Sequence, residues 1–455
     1  MSKRDTIDKW SLFYWCLQFF LVKPIHDFFY REIHVHDAQK IPKHEPVILA
    51  PNHQNALMDA LAFVAGLNKY QTVFLARADV FKQKLVIKIL TFIKILPVYR
   101  ARDGRSSLQK NDEIFDITRS ILRNKVNPIC LYPEGNHGDK RRVRPLVKGI
   151  FRIAFMAQQD YKSDPGVKIV PVGIDYGHYQ KFRQTQFIII GDPIEVSDYW
   201  AEYEKNPSVA MNLLRDKLSE EIKKLAIHIE TVEYYDLYEG LRSIYGRTMC
   251  KKSGLRYGNL YDRYRADKKM IEKLDKCLEE EPDKIKTLDI TFKKYMNSRE
   301  KLNLRDWVPR KRSYSILINL LGILLSVFAL PLVVLGLFNN WPHFFLPPII
   351  QKGIRDTQFH STAKWGAGFV LLIVYYLILF VLAILFIPTW WLTLLYVITL
   401  PSTGIFALSY RKFIIKSWAR IRYSFGIIRK RSETVTLKNS YDKLIELTNQ
   451  IIESN

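Results

Sequence analysis

Two polar residues that follow an apolar run near the amino terminus have the side chains that general-base catalysis uses. The run 46–51 ends at a proline, His53 follows two residues later, and Asp59 comes after five intervening residues. A histidine placed where a strand gives way to a helix, with a carboxylate near enough to orient its ring, can take a proton from a substrate hydroxyl. Helix capping without chemistry is the alternative interpretation of this pair.

A second polar cluster also follows an apolar strand. Glu134 and Gly135 come directly after the run 128–133, and a basic loop follows them. A glycine permits a tight turn close to a ligand, and the cations suit a phosphate group. A solvated charged loop is the alternative. The basic residues of the loop are Lys140, Arg141, Arg142, Arg144 and Lys148.

The elements that must position these clusters have an α/β pattern. Short β-rich runs alternate with helical stretches, and the runs are apolar on both faces, as suits strands that helices cover. The strands are predicted at 46–51, 72–77, 128–133, 167–174 and 186–190. The helices are predicted near 57–67, 81–95, 108–124 and 149–159.

Charge and cysteine content narrow the function classes. The chain of 455 residues has a formal net charge of +24, which favours an anionic partner such as nucleic acid, a phosphate metabolite or a lipid surface. Its four cysteines lie far apart and form no C-x-x-C pair. This spacing argues against a disulfide scaffold or a zinc site and fits a reducing, cytosol-facing location.

The carboxy-terminal part contains long apolar runs. The segment 314–338 carries no charge and is long enough to cross a bilayer, and 366–408 has room for two further spans with a turn at PTWW. Basic residues flank these runs at 305–312 and 411–431. Three spans would place the two basic flanks on opposite sides of the membrane, against the preference of positive charge for the cytoplasmic side.

A reversal inside the first apolar run would remove this conflict. We predict that the chain turns back near Pro331 or within 339–348, as a re-entrant or kinked hairpin. All the basic flanks, including the loop that holds Lys352, would then face the cytosol. The catalytic domain is expected on the cytosolic face of the cytoplasmic membrane.

Five regions follow from this organisation. The aromatic stretch 10–22 predicts a helix in the membrane interface, with an ordinary core helix as the alternative. The regions are an interfacial helix region at 1–30, a catalytic domain at 31–206, a helical extension at 207–312, transmembrane or re-entrant segments at 313–410 and basic amphipathic helices at 411–455.

The first two motifs resemble those of the glycerolipid acyltransferases related to lysophosphatidate acyltransferase. The N-H-x4-D motif of that family is similar to Asn52-His53 with Asp59, although one more residue intervenes here. Because this extra residue would turn Asp59 by about 100° on a regular helix, we expect His53 to lie in the preceding loop. The family's second motif, an apolar run that ends in arginine, is similar to ILPVYR with Arg100.

The third and fourth motifs follow in the family's order. F-P-E-G-T-R with a basic stretch and P-F-K-K-G aligns without a gap on YPEGNHGDKRRVRPLVKG, residues 132–149. Asn136 and His137 stand where the family usually has Thr-Arg, so Arg141, Arg142 or Arg144 is needed as the replacement cation. The strand motif with V-P-V is similar to IVPVGI around Pro171. The resemblance covers roughly residues 25–200.

The resemblance implies a mixed sheet flanked by helices and an O-acyltransferase of phospholipid synthesis. His53 would be the general base and Asp59 its orienting partner, in direct transfer from acyl-CoA or acyl carrier protein without a further cofactor or metal. Arg100, Glu134, Gly135, Arg144 and Lys148 would hold the phosphate of glycerol-3-phosphate or its 1-acyl derivative. Membrane lipids are expected partners, and nucleic acid is not.

Several alternatives remain open at this point. A lysophospholipid transacylase, or an acyltransferase with an amino-lipid or sugar acceptor, would share the same motifs. A non-catalytic membrane protein that binds anionic lipid or nucleic acid would also explain the charge, but it predicts aromatic residues within a basic stripe. The pair of histidines in 33–37 suggests metal chemistry only weakly, and an exposed strand or loop explains them better.

Overall fold

The computed structural model describes residues 7–454 except 68, 82, 100–104, 137 and 139. Within it the chain divides into two compact units. The first unit runs to His228 and includes Ile354–Trp365, whereas the second holds Ile229–Gly353 and the chain from Gly366 onward.

The first unit is built on one mixed sheet of eight strands in the described part of the chain. The strands are β1 Glu32–His36, β2 Val47–Pro51, β3 Val73–Arg77, β4 Ile95–Val98, β5 Ile129–Cys130, β6 Lys168–Tyr176, β7 Thr185–Ile190 and β8 Ile194–Glu195. Their order is β1-β7-β6-β2-β5-β3-β4, and β8 pairs with β6 outside this path. Strands β6, β2, β5, β3 and β4 are parallel, and β7 runs antiparallel to β6.

The predicted α/β class with a mixed sheet is confirmed. All five predicted strands are present, β1 matches the exposed strand that was one interpretation of 33–37, and the sequence missed β4 and β8. The predicted helix 81–95 ends earlier than expected, because residue 95 already belongs to β4.

Helices cover both faces of the sheet. Ile48 and Ala50 of β2 pack into one hydrophobic cluster, and Val47 and Leu49 pack into another on the opposite face. The helices of this unit are α1 Leu12–Cys16, α2 Lys23–Phe29, α3 Leu57–Gly66, α4 Lys84–Phe92, α5 Arg105–Asn124, α6 Gly149–Gln158, α7 Trp200–Lys205 and α8 Pro207–Leu225. A short π-helical segment, Leu17–Val22, joins α1 to α2.

Helix α8 packs against β6 in the first unit, although the sequence assigned its residues to the helical extension. Its side chains at Leu214, Leu218 and Ile222 are fully buried. This apolar stripe repeats every four residues, so one face of α8 covers the sheet.

The amino-terminal helix has one buried face and one exposed apolar face. Tyr14 and Ile25 are buried, whereas Phe13 and Phe20 are 71% and 66% exposed. The Phe13 ring also meets Phe92 of α4, with 5.5 Å between ring centroids. An exposed aromatic face is typical of a helix that lies in a membrane interface, and that location stays a prediction for this helix.

The second unit consists of helices and their connections, with no strand among its described residues. Helices α12 and α17 pack together, with Leu288, Leu437 and Leu444 fully buried. The helices that begin in this unit are α9 Tyr235–Ile244, α10 Gly246–Lys252, α11 Leu260–Glu280, α12 Pro282–Lys301, α13 Ile316–Ser326, α14 Leu330–Lys352, α16 Trp390–Ile428 and α17 Ser432–Ser454. Helix α15, His360–Phe386, begins in the first unit and continues into the second.

Three helical stretches of the described chain are long and apolar enough to cross a membrane: Ile316–Lys352, Thr357–Phe386 and Trp390–Ile428. The predicted pair of spans within 366–408 is confirmed by the break between Phe386 and Trp390. The reversal predicted in the first run stays a prediction, although the helix is continuous there. Pro331 and 339–348 lie inside α14, and a single 3-10 turn joins α14 to α13, so the chain stays helical from Ile316 to Lys352.

The first and third of these stretches lie antiparallel. The Tyr314 amide donates to Ser424 Oγ over 2.7 Å, and Asn340 Nδ2 donates to the Leu400 carbonyl over 3.1 Å. Residue numbers therefore rise along one helix while they fall along the other. This arrangement brings the basic segments 305–312 and 411–431 to the same end of the helix pair.

Candidate active site

His53 lies in the loop between β2 and α3, as its spacing from Asp59 predicted. Strand β2 ends at Pro51 and helix α3 begins at Leu57. Ala56, just before the helix, has a φ of 43°, a backbone conformation that costs a non-glycine residue energy. This turn absorbs the extra residue between the two side chains and leads the chain back toward His53.

The Asp59 carboxylate is buried and accepts four hydrogen bonds. Its Oδ2 accepts from His53 Nδ1 over 2.8 Å and from the backbone amides of Gln54 and Asn55 over 2.9 Å each. Its Oδ1 accepts from the Tyr176 hydroxyl over 2.6 Å. The fixed donors compensate the loss of water around this carboxylate and hold it where it orients the His53 ring.

The hydrogen bond to Asp59 assigns the imidazole proton to Nδ1 and leaves the lone pair on Nε2. The ring is 14% exposed, so a ligand can reach it. It stacks on Tyr132, with 4.0 Å between the centroids and 23° between the planes. His53 is therefore held on one side by an aromatic ring and at one nitrogen by a carboxylate, in the geometry of a general base.

Glu134 ties the second polar cluster to the first. Its Oε1 accepts the His53 backbone N–H over 2.9 Å, and its Oε2 accepts from Arg144 Nε over 3.0 Å. Burial raises the pKa of the Glu134 carboxyl, and both donors oppose that rise. The Glu134 carboxylate thus holds both the His53 backbone and the Arg144 side chain.

Gly135 makes the turn that follows Glu134. Its φ is +67°, a left-handed conformation that favours glycine. A Cβ atom at this position would stand 2.9 Å from Val147 Cγ1, so space also excludes a larger residue. The turn brings the basic loop back beside the end of β5.

The structure separates the basic candidates of the loop. Arg144 pairs with Glu134, and its Nη2 has no hydrogen-bond partner among the described residues. Arg141 is buried, donates to Asp175 over 3.2 Å and covers the Tyr179 ring at 4.7 Å, so it fastens the loop to β6. Lys148 is exposed at the start of α6.

The remaining predicted site residue, Arg100, lies outside the described part of the chain, as does His137, which stands in place of the family's arginine. The structure therefore brings together His53, Asp59, Glu134, Gly135 and Arg144.

Sequence reasoning missed Tyr176 and gave no structural role to Asn52, and both residues hold the site. Tyr176, the last residue of β6, binds Asp59, and Asn52 forms a two-way hydrogen-bond pair with the Ile174 backbone, over 3.1 and 2.7 Å. A signal for them existed. Strands β2 and β6 are parallel neighbours, and polar residues at the carboxyl ends of parallel strands meet at one edge of the sheet.

Comparison with known proteins agrees with this geometry. The Acyltransferase family model matches residues 32–175, which include His53, Asp59 and the Glu134 turn. Residues 32–175 carry an acyltransferase domain. The matched residues thus contain β1 to β5, nearly all of β6, and His53, Asp59, Glu134, Gly135 and Arg144.

Two curated yeast relatives align with this region. Glycerol-3-phosphate O-acyltransferase 1 of Saccharomyces cerevisiae is 29% identical over 157 residues, which is 32% of this chain and 21% of the relative. Glycerol-3-phosphate O-acyltransferase 2 of the same yeast is 26% identical over 138 residues, 30% of this chain and 18% of the relative. The chain therefore spans only about a fifth of the length of these relatives.

Among solved structures, the 1-acyl-sn-glycerophosphate (LPA) acyltransferase PlsC from Thermotoga maritima is similar to part of the chain. The sequences are 21% identical, and the match covers 45% of this chain and 80% of that protein. The TM-score is 0.30.

Proposed function

We propose that this protein is a membrane-bound O-acyltransferase that transfers a fatty acyl chain from a thioester to the hydroxyl of glycerol-3-phosphate or 1-acylglycerol-3-phosphate. The observation that carries the proposal is the 2.8 Å contact between His53 Nδ1 and Asp59, with Nε2 as the basic nitrogen. The names of the yeast relatives support a phosphorylated glycerol acceptor. The thioester is acyl-CoA or acyl-acyl carrier protein.

The reaction needs one base and no covalent enzyme intermediate. His53 Nε2 takes the proton of the acceptor hydroxyl while the oxygen attacks the thioester carbonyl. When the tetrahedral intermediate collapses, the C–S bond breaks and the thiolate leaves with the proton from the imidazolium. Asp59 stabilises that imidazolium through Nδ1.

Cys130 is poorly suited to form an acyl-enzyme. It is fully buried in β5, and burial raises the pKa of its thiol well above the usual range. Direct transfer in a ternary complex therefore requires both substrates before thiol appears. A burst of thiol release without acceptor would contradict this mechanism.

Arg144 is our candidate for the acceptor's phosphate. Its Nε is held by Glu134, while Nη2 has no partner among the described residues and can donate to a phosphate oxygen. Gly135 permits the close approach, and Lys148 at the start of α6 adds a second positive charge. Arg100 remains part of the proposed site on the family resemblance alone.

An apolar groove offers room for the first part of the acyl chain. It has a volume of about 100 Å³ and lies between the amino-terminal helix and α3. Its lining includes Leu57, the first residue of α3, four positions after His53. The groove lining is Tyr14, Leu17, Gln18, Val22, Leu57, Ala60, Leu61, Val64, Phe74, Ile93 and Ile95.

Substitution of Arg144 by alanine is expected to weaken acceptor binding. The KM for glycerol-3-phosphate or its 1-acyl derivative should rise about tenfold, because one charged hydrogen bond to phosphate is lost. The KM for the thioester should change little. Steady-state kinetics with each substrate varied in turn measures both constants.

Arg142→Ala is the matched control for this prediction. Arg142 lies two residues away in the same loop, and its backbone N–H bonds to the Lys140 carbonyl. The Arg142→Ala variant should have a KM for the acceptor close to that of the wild type. Equal KM values in Arg144→Ala and the wild type would contradict the phosphate assignment.

The catalytic domain is proposed to face the cytosol. Lys352, Arg355 and Lys364 border the start of α15, whose first residues belong to the catalytic unit, and positive charge favours the cytoplasmic side. A basic surface there would also attract anionic phospholipids. We expect a reporter fused to Met1, which belongs to the catalytic unit, to be cytosolic, as measured by alkaline phosphatase and green fluorescent protein fusions. A periplasmic or luminal reporter would contradict this orientation.

The proposed reaction is tested with the purified full-length protein in lipid vesicles. Radiolabelled glycerol-3-phosphate and its 1-acyl derivative are supplied separately, each with acyl-CoA or with acyl carrier protein as donor. Labelled lipid product from one acceptor is the expected result, and the acceptor used identifies the substrate. Absence of product from all four combinations would overturn the proposed substrates and direct the search to lysophospholipid or amino-lipid acceptors.

A further inference from the structure

The start of the second candidate span is packed into the catalytic unit. Residues Ile354–Trp365 belong to the first unit, although α15 continues beyond it. Ser361, the second residue of α15, is fully buried, and its hydroxyl donates to the Tyr179 carbonyl. Lys364 Nζ donates to the Gln180 carbonyl over 3.0 Å.

Further contacts fix the same loop on α15. The Gln180 side chain donates to the Thr357 carbonyl over 3.4 Å. Trp365 packs against the hydrophobic cluster that also contains Tyr179 and Phe182. The loop 177–184 joins β6 to β7 and has no regular structure of its own, so these contacts restrict it.

The same loop also contacts the segment that carries the catalytic dyad. The Tyr179 carbonyl accepts a second hydrogen bond, from Asn55 Nδ2, over 3.2 Å. The Tyr179 hydroxyl donates to the side-chain oxygen of Gln54. Gln54 and Asn55 in turn donate their backbone N–H groups to Asp59.

We infer that the first turn of α15 is a positioning element of the active site, acting through Tyr179 on the loop that holds His53 and Asp59. Ser361 and Lys364 donate hydrogen bonds to the carbonyls of Tyr179 and Gln180. Tyr179 in turn forms hydrogen bonds with Gln54 and Asn55. The inference rests on the proposed function for its kinetic consequences. A candidate membrane span thus becomes part of the catalytic geometry.

This connection has a chemical consequence for the proposed reaction. The uncharged part of α15 begins directly after Lys364 and Trp365, where the helix is expected to enter the bilayer. Because the dyad is linked to that point through Tyr179, it lies near the level of the lipid headgroups. The lipid product can then leave directly into the bilayer.

The test compares two hydroxyl deletions one residue apart in α15. Ser361→Ala removes the donor to Tyr179, whereas Thr362→Val removes a buried hydroxyl that has no partner in the described part of the chain. Ser361→Ala should lower kcat by about 3- to 10-fold with the thioester KM unchanged, and Thr362→Val should match the wild type. Both are assayed as full-length protein in vesicles.

Two further measurements separate positioning from a general loss of structure. Hydrogen exchange of the peptide 52–59 should be faster in Ser361→Ala than in Thr362→Val, because the Gln54 and Asn55 amides are less firmly held. Ser361→Ala and Tyr179→Phe should also be less than additive in kcat, since both weaken one path. Lys364→Met replaces Ser361→Ala if that variant does not fold.

The outcomes distinguish this inference from the proposed function. The inference would be overturned if Ser361→Ala kept the wild-type kcat and the wild-type exchange of peptide 52–59, and if its effect on kcat simply added to that of Tyr179→Phe. The proposed reaction would not be affected by this result. Wild-type protein that is inactive with all acceptors would overturn the proposed function, and the exchange measurement would still decide whether α15 positions the loop. Faster exchange with lower kcat in Ser361→Ala alone supports both.

Discussion

His53→Ala is expected to lower kcat for acyl transfer by about 10²–10⁴-fold, because the hydroxyl then attacks the thioester without a base. The ring contributes to catalysis through Nε2, and alanine removes both that nitrogen and the Nδ1 contact to Asp59. Substrate binding should change much less, since the phosphate and acyl contacts involve other residues. Initial rates at saturating substrate measure the loss.

A second histidine provides the matched control for this substitution. His34 is 42% exposed on β1, which β7 and β6 separate from β2 in the sheet. His34→Ala should keep the wild-type rate. If His53→Ala also kept it, His53 would not be the base, and the mechanism would fail at its central step.

Asp59→Asn is expected to lower kcat by about 10²–10⁴-fold while the side chain keeps its shape. Three donors converge on Oδ2 and a fourth meets Oδ1. An amide supplies one acceptor atom, so its NH2 group faces either the three donors to Oδ2 or the Tyr176 hydroxyl, which can accept from it. If the NH2 group of the new asparagine faced His53, it would donate to Nδ1, so the ring proton would lie on Nε2. The nitrogen that serves as the base would then be protonated.

The Asp59→Asn protein should also unfold at a lower temperature. Each buried donor left without an acceptor costs about 1–3 kcal/mol, so scanning calorimetry can detect the change. Tyr176→Phe is a milder variant for comparison with Asp59→Asn, because it removes the single donor to Oδ1 and leaves the three donors to Oδ2. We expect about a 3- to 10-fold lower kcat for it. A rate equal to that of the wild type in Asp59→Asn would refute the role of the carboxylate.

The roles of the polar residues at the second motif differ from what the sequence pattern suggested. The pattern grouped Glu134 with the phosphate ligands, whereas its carboxylate binds the His53 backbone and Arg144. Arg141, an alternative cation in the sequence, is engaged with Asp175. Side-chain partners across loops depend on the path of the backbone, which residue spacing does not specify.

The apolar helices of the second unit also show what sequence alone can and cannot predict. Length and composition were enough to predict apolar spans, since crossing a bilayer needs about 20 apolar residues. They could not predict that the chain stays helical through Pro331, because the effect of a proline depends on how neighbouring helices pack. The antiparallel pairing through Ser424 and Leu400 followed only from contacts between residues far apart in the chain.

The sequence by itself determined the α/β pattern, the dyad residues His53 and Asp59, the Glu134-Gly135 turn and the apolar spans. These features depend on periodicity, residue type and short spacing, which are local properties of the chain. Only the tertiary structure decided that the Tyr176 hydroxyl is the fourth hydrogen-bond donor to Asp59, and that the Ser361 hydroxyl donates to the Tyr179 carbonyl. The partners in these contacts are more than 100 residues apart, so the packing of the sheet and helices brings them together.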